Sequence, residues 1–242
     1  MRATFILLLT LAAQAQQRPD ARVEFEVVSV KPGDPADPAS SSSPSAGGMQ
    51  WRNTTLKNLV RGAYGLNEFQ LQGGPKWADS QRFHIDAKLP AGTSREQMPL
   101  MMRALLADRF KLVFHRETKV LPEYELVVAP GGPKLEAASP ESLNDQSSSQ
   151  GDRHIKGKAL TMSTLAGMLI SAVGAPVVDR TGLTGKYTIS LAFAPMVGTP
   201  RDDEPLPTIL GVLPQQLGLK LEKTKGPVEV LVIDRAEQPA EN

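Results

Sequence analysis

The chain has 242 residues, with 27 lysines and arginines, 26 aspartates and glutamates, and no cysteine. The lack of cysteine excludes disulfide bonds, thiolate metal sites, cysteine nucleophiles and a lipid anchor attached through cysteine. The formal net charge of +1 argues against a nucleic-acid partner, because neutralising many phosphates requires an excess of cations.

The first fifteen residues have the pattern of a secretory signal peptide. Arg2 supplies the positive charge, an apolar run extends from Phe5 to Ala13, and a small-residue cleavage motif falls at residues 13–15. An uncleaved membrane anchor is the alternative, but a run of about ten apolar residues is half of what a bilayer core requires. We therefore expect cleavage after Ala15 and an exported, periplasmic or extracellular chain without a membrane span. Removal of Arg2 leaves 26 charges of each sign.

Two stretches rich in serine, proline and glycine divide the chain, one at residues 32–48 and one at residues 136–152. Because they carry few apolar side chains, burial cannot offset the entropy of ordering them, so we expect loops. This predicts a first α+β unit at 23–135 with a flexible loop at 32–48, a Ser-rich linker at 136–153, and a second α+β unit at 154–242.

Apolar periodicity in the first unit predicts two helices among strands. A strand at 25–30 precedes a helix striped by Leu56, Leu59, Val60, Ala63 and Tyr64, which Gly65 can end. A strand at 83–87 precedes a second helix, which Thr93 or Ser94 can cap with Glu96 or Gln97 as the capping-box partner. The apolar stripe of this helix is Met98, Met101, Met102, Leu105 and Leu106. The segments at 110–114 and 123–128 then predict a β-hairpin, with its connection around 119–122.

The second unit repeats this order. A helix striped by Met162, Leu165, Leu169 and Ala172 precedes short strands at 177–178 and 187–191, a helix at about 206–217, and strands at 219–221 and 228–232. Matching positions lie 104 to 109 residues apart, which favours an internal duplication over chance similarity. Pro214 is expected to strain the last turns of the final helix. We predict an α+β fold of two similar units, each with helices on a mainly antiparallel sheet in two layers.

Residues suited to catalysis do not form a recognisable motif. His84 and Asp86 lie two apart on one face of a strand and could share a proton or a metal, but alternation with Phe83 and Ile85 favours a solvated face. The methionines of the second helix could form an adaptable binding surface, but core packing is the simpler interpretation. Lys111, His115, Lys220, Glu222 and Lys225 are expected on solvated strand faces. We assign no catalytic, cofactor-binding or metal-ligating residue, and no cofactor.

Segments spanning nearly the whole mature chain resemble the soil-associated acidobacterial paralogous family, also called the DUF3738 domain family. They lie at 25–32, 55–66, 73–88, 95–135, 176–193 and 218–242, and include FEVVSVKP and PVVDRTGLTGKYTISLAF. The resemblance implies an exported protein with many paralogues and no established activity. It also implies that such a domain can be attached to membrane peptidases similar to antibiotic sensors. Pro214 departs from the helical run expected before GLKLE.

Three functional hypotheses follow. The leading one is a non-catalytic binding or protein-interaction module with an unidentified protein partner. The second is an extracytoplasmic sensor that works with a membrane peptidase. The third is a hydrolase with an unrecognised site, built on His84, Asp86 and residues distant in sequence.

Overall fold

A computed structural model describes residues 23–240 except 38, 146, 152, 195 and 197–205. The predicted signal peptide at 1–15 lies outside the described residues. The fold is α+β, as predicted: five helices and twelve strands, with mainly antiparallel pairing, make up the described parts of the chain. Among those parts, none of the helices combines the length and apolar character needed to cross a membrane.

The first half of the chain contains nine of these elements. They are β1 Val27–Pro32, β2 Ser41–Ser45, β3 Gly48–Thr55, α1 Leu56–Tyr64, β4 Leu71–Gly73, α2 Trp77–Ser80, β5 Arg82–Lys88, α3 Met98–Arg109 and β6 Val113–Val128. Helix α1 begins where the Thr55 hydroxyl accepts a hydrogen bond from the Asn58 N–H, and it ends at Gly65, whose left-handed backbone (φ 64°) closes the last turn.

The second half contains the other eight. They are β7 Glu136–Ala137, β8 Ser148–Gly151, β9 His154–Leu160, α4 Met162–Val173, β10 Val177–Asp179, β11 Tyr187–Ala192, α5 Ile209–Val212 and β12 Leu219–Arg235. Helix α5 continues into a wider π-helical turn at Leu213–Leu217, with Pro214 at its start. The helix therefore begins at Ile209 rather than near 206, and the wide turn accommodates the proline.

The predicted hairpin at 110–128 is wrong, as is the division of 219–232 into two strands. Each segment is one long strand, and β6 and β12 pair antiparallel from Leu219 opposite Val128 to Arg235 opposite Val113. Pro122 and Pro227 resemble turn signals. Both lie where β6 and β12 pair only with each other, because β10 pairs with β6 and β4 pairs with β12 only near one end of each long strand. Proline is tolerated at such an edge.

The two low-complexity stretches are not entirely loops. Strand β2 pairs with β3 inside the first stretch, and β8 pairs with β9 inside the second, while β7 pairs with β11. Serine lacks the apolar surface that signals a strand, so these edge strands are held by backbone hydrogen bonds to a neighbour that is itself buried against a helix.

Three four-stranded sheets result, two outer and one central. The outer sheets have the orders β1-β5-β3-β2 and β7-β11-β9-β8, and the central sheet has the order β10-β6-β12-β4. Strands from the two halves thus alternate in the central sheet.

The apolar interior divides into two clusters. The first core joins side chains of β1, α1, β5 and α3 to Leu231 and Ile233 of β12. The second core joins side chains of β9, α4, β11 and α5 to Tyr124 and Leu126 of β6. Each long strand therefore starts beside the core of its own half and ends in the core of the other.

Candidate functional site

A groove of about 890 Å³ lies between α3 and the chain that leads into β1. One wall is lined by Val23, Glu24, Phe25, Glu26 and Val28, and the other by Leu100, Met101, Ala104, Leu105, Ala107, Asp108, Arg109 and Lys111. Its volume falls within the range of about 300–1,000 Å³ typical of small-molecule sites.

Helix α3 presents different sides to the core and to the groove. The Ser94 N–H donates to Gln97 Oε1 at 2.7 Å, completing the predicted capping box ahead of the helix. Met101 and Met102 are buried, as core packing requires, and Met101 also reaches the groove. Leu100 is 47% exposed and lies one helical turn from Ala104, so an apolar strip follows this wall.

Charged groups collect where α3 ends. Arg109 Nη2 donates to the Val28 carbonyl oxygen at 3.4 Å, which ties the helix to β1. Asp108 lies 3.6 Å from Arg109 Nε and 3.8 Å from Lys111 Nζ, so two cations share one carboxylate. On the other wall, Glu26 pairs with Lys88 at 2.8 Å, and that hydrogen bond raises the pKa of Lys88.

Lys111 has a left-handed backbone, with φ of 47°. It follows the C-cap Phe110, and the Leu112 N–H donates to the Leu106 carbonyl oxygen at 3.2 Å, so the chain turns back against the last turn of the helix. The prediction that Lys111 lies on a solvated strand face is therefore wrong, because β6 begins two residues later.

His84 and Asp86 lie together on β5, but both are engaged in holding a bulge in β3. His84 Nδ1 accepts from the Asn53 N–H at 3.2 Å, and Arg52 donates to Asp86 at 2.6 Å, which lowers the pKa of Asp86. Asn53 has a φ of 54° and is 5% exposed; its amide donates to the carbonyl oxygens of Asp37 and Ala39. This cluster fastens the 33–39 loop to the sheet.

Sequence reasoning missed Asn53, because a bulge leaves no mark in apolar periodicity. The remaining histidines lie in separate contacts: His115 Nδ1 is 2.8 Å from Asp234, and His154 Nε2 is 3.1 Å from the Ser149 hydroxyl. Within the described residues, no three histidines or carboxylates come together as metal ligands. Lys220 pairs with Glu222 at 2.5 Å on β12.

The chain is an α+β protein with a groove beside α3 that is open to solvent. The sequence profile of DUF3738, described as a protein of unknown function, matches residues 57–236. The chain belongs to this family. Neither a curated protein nor a solved structure matches the chain.

Proposed function

We propose that this chain is an exported, non-catalytic binding protein, and that the groove between α3 and β1 holds a small amphipathic molecule. Export is supported by the charge, apolar run and cleavage motif of residues 1–15. The binding role is supported by one observation above all: an apolar strip on α3, open to solvent, faces a wall of mixed apolar and charged residues across a space of ligand size.

The groove has walls that suit binding without large rearrangement. Arg109 holds α3 against β1, and the inner side of α3 packs into the first core through Met102, Leu105 and Leu106. A ligand therefore meets a preformed surface, which lowers the entropic cost of association.

The test uses N-phenyl-1-naphthylamine, a neutral dye whose fluorescence rises in apolar surroundings. Ala107 is exposed on the groove wall, so Ala107→Trp fills the groove without entering the core. We expect the dye to bind the unaltered protein and to bind Ala107→Trp at least tenfold more weakly. Ala192→Trp places the same side chain on exposed β11 as a matched control, and its dye affinity should not change. Urea midpoints check that both variants fold. No dye binding, or equal binding by Ala107→Trp, would refute the proposal.

A further inference from the structure

We propose that the groove selects molecules with an anionic head group, specifically a carboxylate on an aliphatic chain, and that Lys111 and Arg109 bind the head. This inference rests on the proposed function, since it specifies what the same groove binds.

The first argument is the conformation of Lys111. Helices α1 and α4 and the π-helical turn before β12 all end at a glycine with a left-handed backbone: Gly65, Gly174 and Gly218. Helix α3 reaches the same conformation with a lysine, although a Cβ disfavours it. Strained residues of this kind cluster at ligand sites, and the strained lysine here lines the groove.

The second argument is the balance of charge around that lysine. Neither cation is within hydrogen-bonding distance of Asp108. Lys111 Nζ lies 3.8 Å from its carboxylate and Arg109 Nε lies 3.6 Å from it. Lys111 Nζ and Arg109 Nε therefore remain able to bind a second carboxylate, while Arg109 Nη2 stays on the Val28 carbonyl oxygen. Glu26 is engaged by Lys88, and Glu237, which also feels the charge of Lys111, is hydrogen-bonded by Arg235. Glu24, the remaining carboxylate of the groove, is also engaged in an interaction.

The third argument is the distribution of apolar surface. Leu100, Ala104 and Ala107 precede Asp108, Arg109 and Lys111 along the chain, so the wall changes from apolar to charged toward the end of the helix. At about 1.5 Å per residue, Ala104 and Lys111 are about 10 Å apart, a span that a chain of about ten carbons covers. A head at Lys111 thus places the chain along the apolar strip.

The experiment is calorimetric titration of the full-length mature chain with decanoate, decanol and decyltrimethylammonium, which share a chain and differ in the head. We expect decanoate to bind at least tenfold more tightly than either of the others. Lys111→Gly should weaken decanoate binding about tenfold and leave decanol unchanged, while Lys111→Arg should retain decanoate binding. Lys223→Gln removes an exposed lysine of β12, outside the groove, as a control, and it should have no effect.

The outcomes separate this inference from the proposed function. If decanoate and decanol bind equally, or Lys111→Gly binds decanoate normally, the anionic preference is overturned while a binding groove stands. If neither decanoate nor the neutral dye binds, both proposals fail. Because Lys111→Gly relieves backbone strain, a loss of binding by this variant cannot be attributed to a damaged helix end.

Discussion

The two halves of the molecule share an order of elements, apart from the short helix α2 described only in the first half, but they differ in where they carry strain. In each half, three strands lead into a helix, a short strand follows, and another strand and helix lead to the long strand. Register agrees as well: Leu71 pairs with Leu231 and Val177 with Tyr124, so partners on the short strands are 106 positions apart and those on the long strands 107. This supports the predicted duplication, which stays a prediction.

The differences are confined to particular positions. Among the described residues, the only non-glycine residues with positive φ are Asn53 and Lys111, both from the first half. The first half also supplies four edge-to-face aromatic pairs, including Phe83 against Phe110 at 5.2 Å. Of the two strained residues, Lys111 is the one that lines the groove.

Each long strand places side chains in the core of the other half. Removing one of these side chains from either core has the largest expected effect on stability. Leu231 and Leu126 are both fully buried, so replacing either by alanine should lower the free energy of unfolding by about 3 kcal/mol. Leu231→Ala should speed amide hydrogen exchange in α1 and α3, although Leu231 belongs to the second half. Leu126→Ala should speed exchange in α4. If Leu231→Ala sped amide hydrogen exchange only in α4, Leu231 would not belong to the first core.

Replacing Gly218 has the next largest expected effect on the free energy of unfolding. It also tests how the helix ends differ in their surroundings. A Cβ there would lie 2.2 Å from the Gly132 carbonyl oxygen, in addition to the cost of φ at 63°. We expect Gly218→Ala to destabilise the protein by about 3 kcal/mol in urea unfolding. Gly65 is the matched control: it has nearly the same φ, 64°, but nothing lies within 4 Å of its added Cβ. Gly65→Ala should therefore cost only about 1 kcal/mol, and equal losses would show that the contact with Gly132 is unimportant.

At the equivalent end of α3, the expected effect has the opposite sign. Lys111→Gly removes the Cβ that disfavours a φ of 47°, which outweighs the extra flexibility of glycine in the unfolded chain. We expect the free energy of unfolding to rise by about 0.5 kcal/mol. Lys111→Ala keeps the strain and serves as the control. A loss of stability in both variants would mean that the lysine side chain contributes to packing, and a loss in Lys111→Gly alone would mean that the flexibility of glycine outweighs the relieved strain.

Local signals explain how much of this could be predicted from sequence. Helices α1 and α4 were predictable because their apolar stripes, Thr55 and Thr161 caps and glycine ends all lie within a few residues. The continuity of β6 and β12 was not, because pairing between residues about 90 to 120 positions apart leaves no local pattern and two prolines imitate turns. The groove was missed for a related reason: it forms where α3 meets a chain segment some 75 residues earlier.

The two low-complexity stretches are held by different interactions, and the one that holds the second stretch depends on pH. Its expected effect on stability is the smallest of those considered. The first is fastened by the buried amide of Asn53, which does not titrate. The second is held at Asp145, whose carboxylate accepts from the Ser147 N–H at 3.0 Å and from Lys158 Nζ at 2.9 Å. Hydrogen bonds from the Ser147 side chain, from Lys158 and from the Ser147 N–H, in that order of size, lower the pKa of Asp145 to about 2 from an ordinary value of 3.8. Because the folded-state pKa is the lower one, the stabilising contribution is complete above the ordinary value and is lost as the pH falls from about 4 to about 2.

Carboxyl carbon chemical shifts measured by NMR between pH 5 and pH 1.5 check this directly. Asp145 should titrate with a midpoint near 2. Lys158→Gln should move the midpoint upward, because it removes one of the two partners that favour the ionised form. Since the Asn53 amide carries no titrating proton, amide exchange across the described part of the 33–39 loop should not follow the Asp145 midpoint. A midpoint at the ordinary value would mean that the second stretch is not held through Asp145, and the contrast between a buried amide and a surface carboxylate would fail.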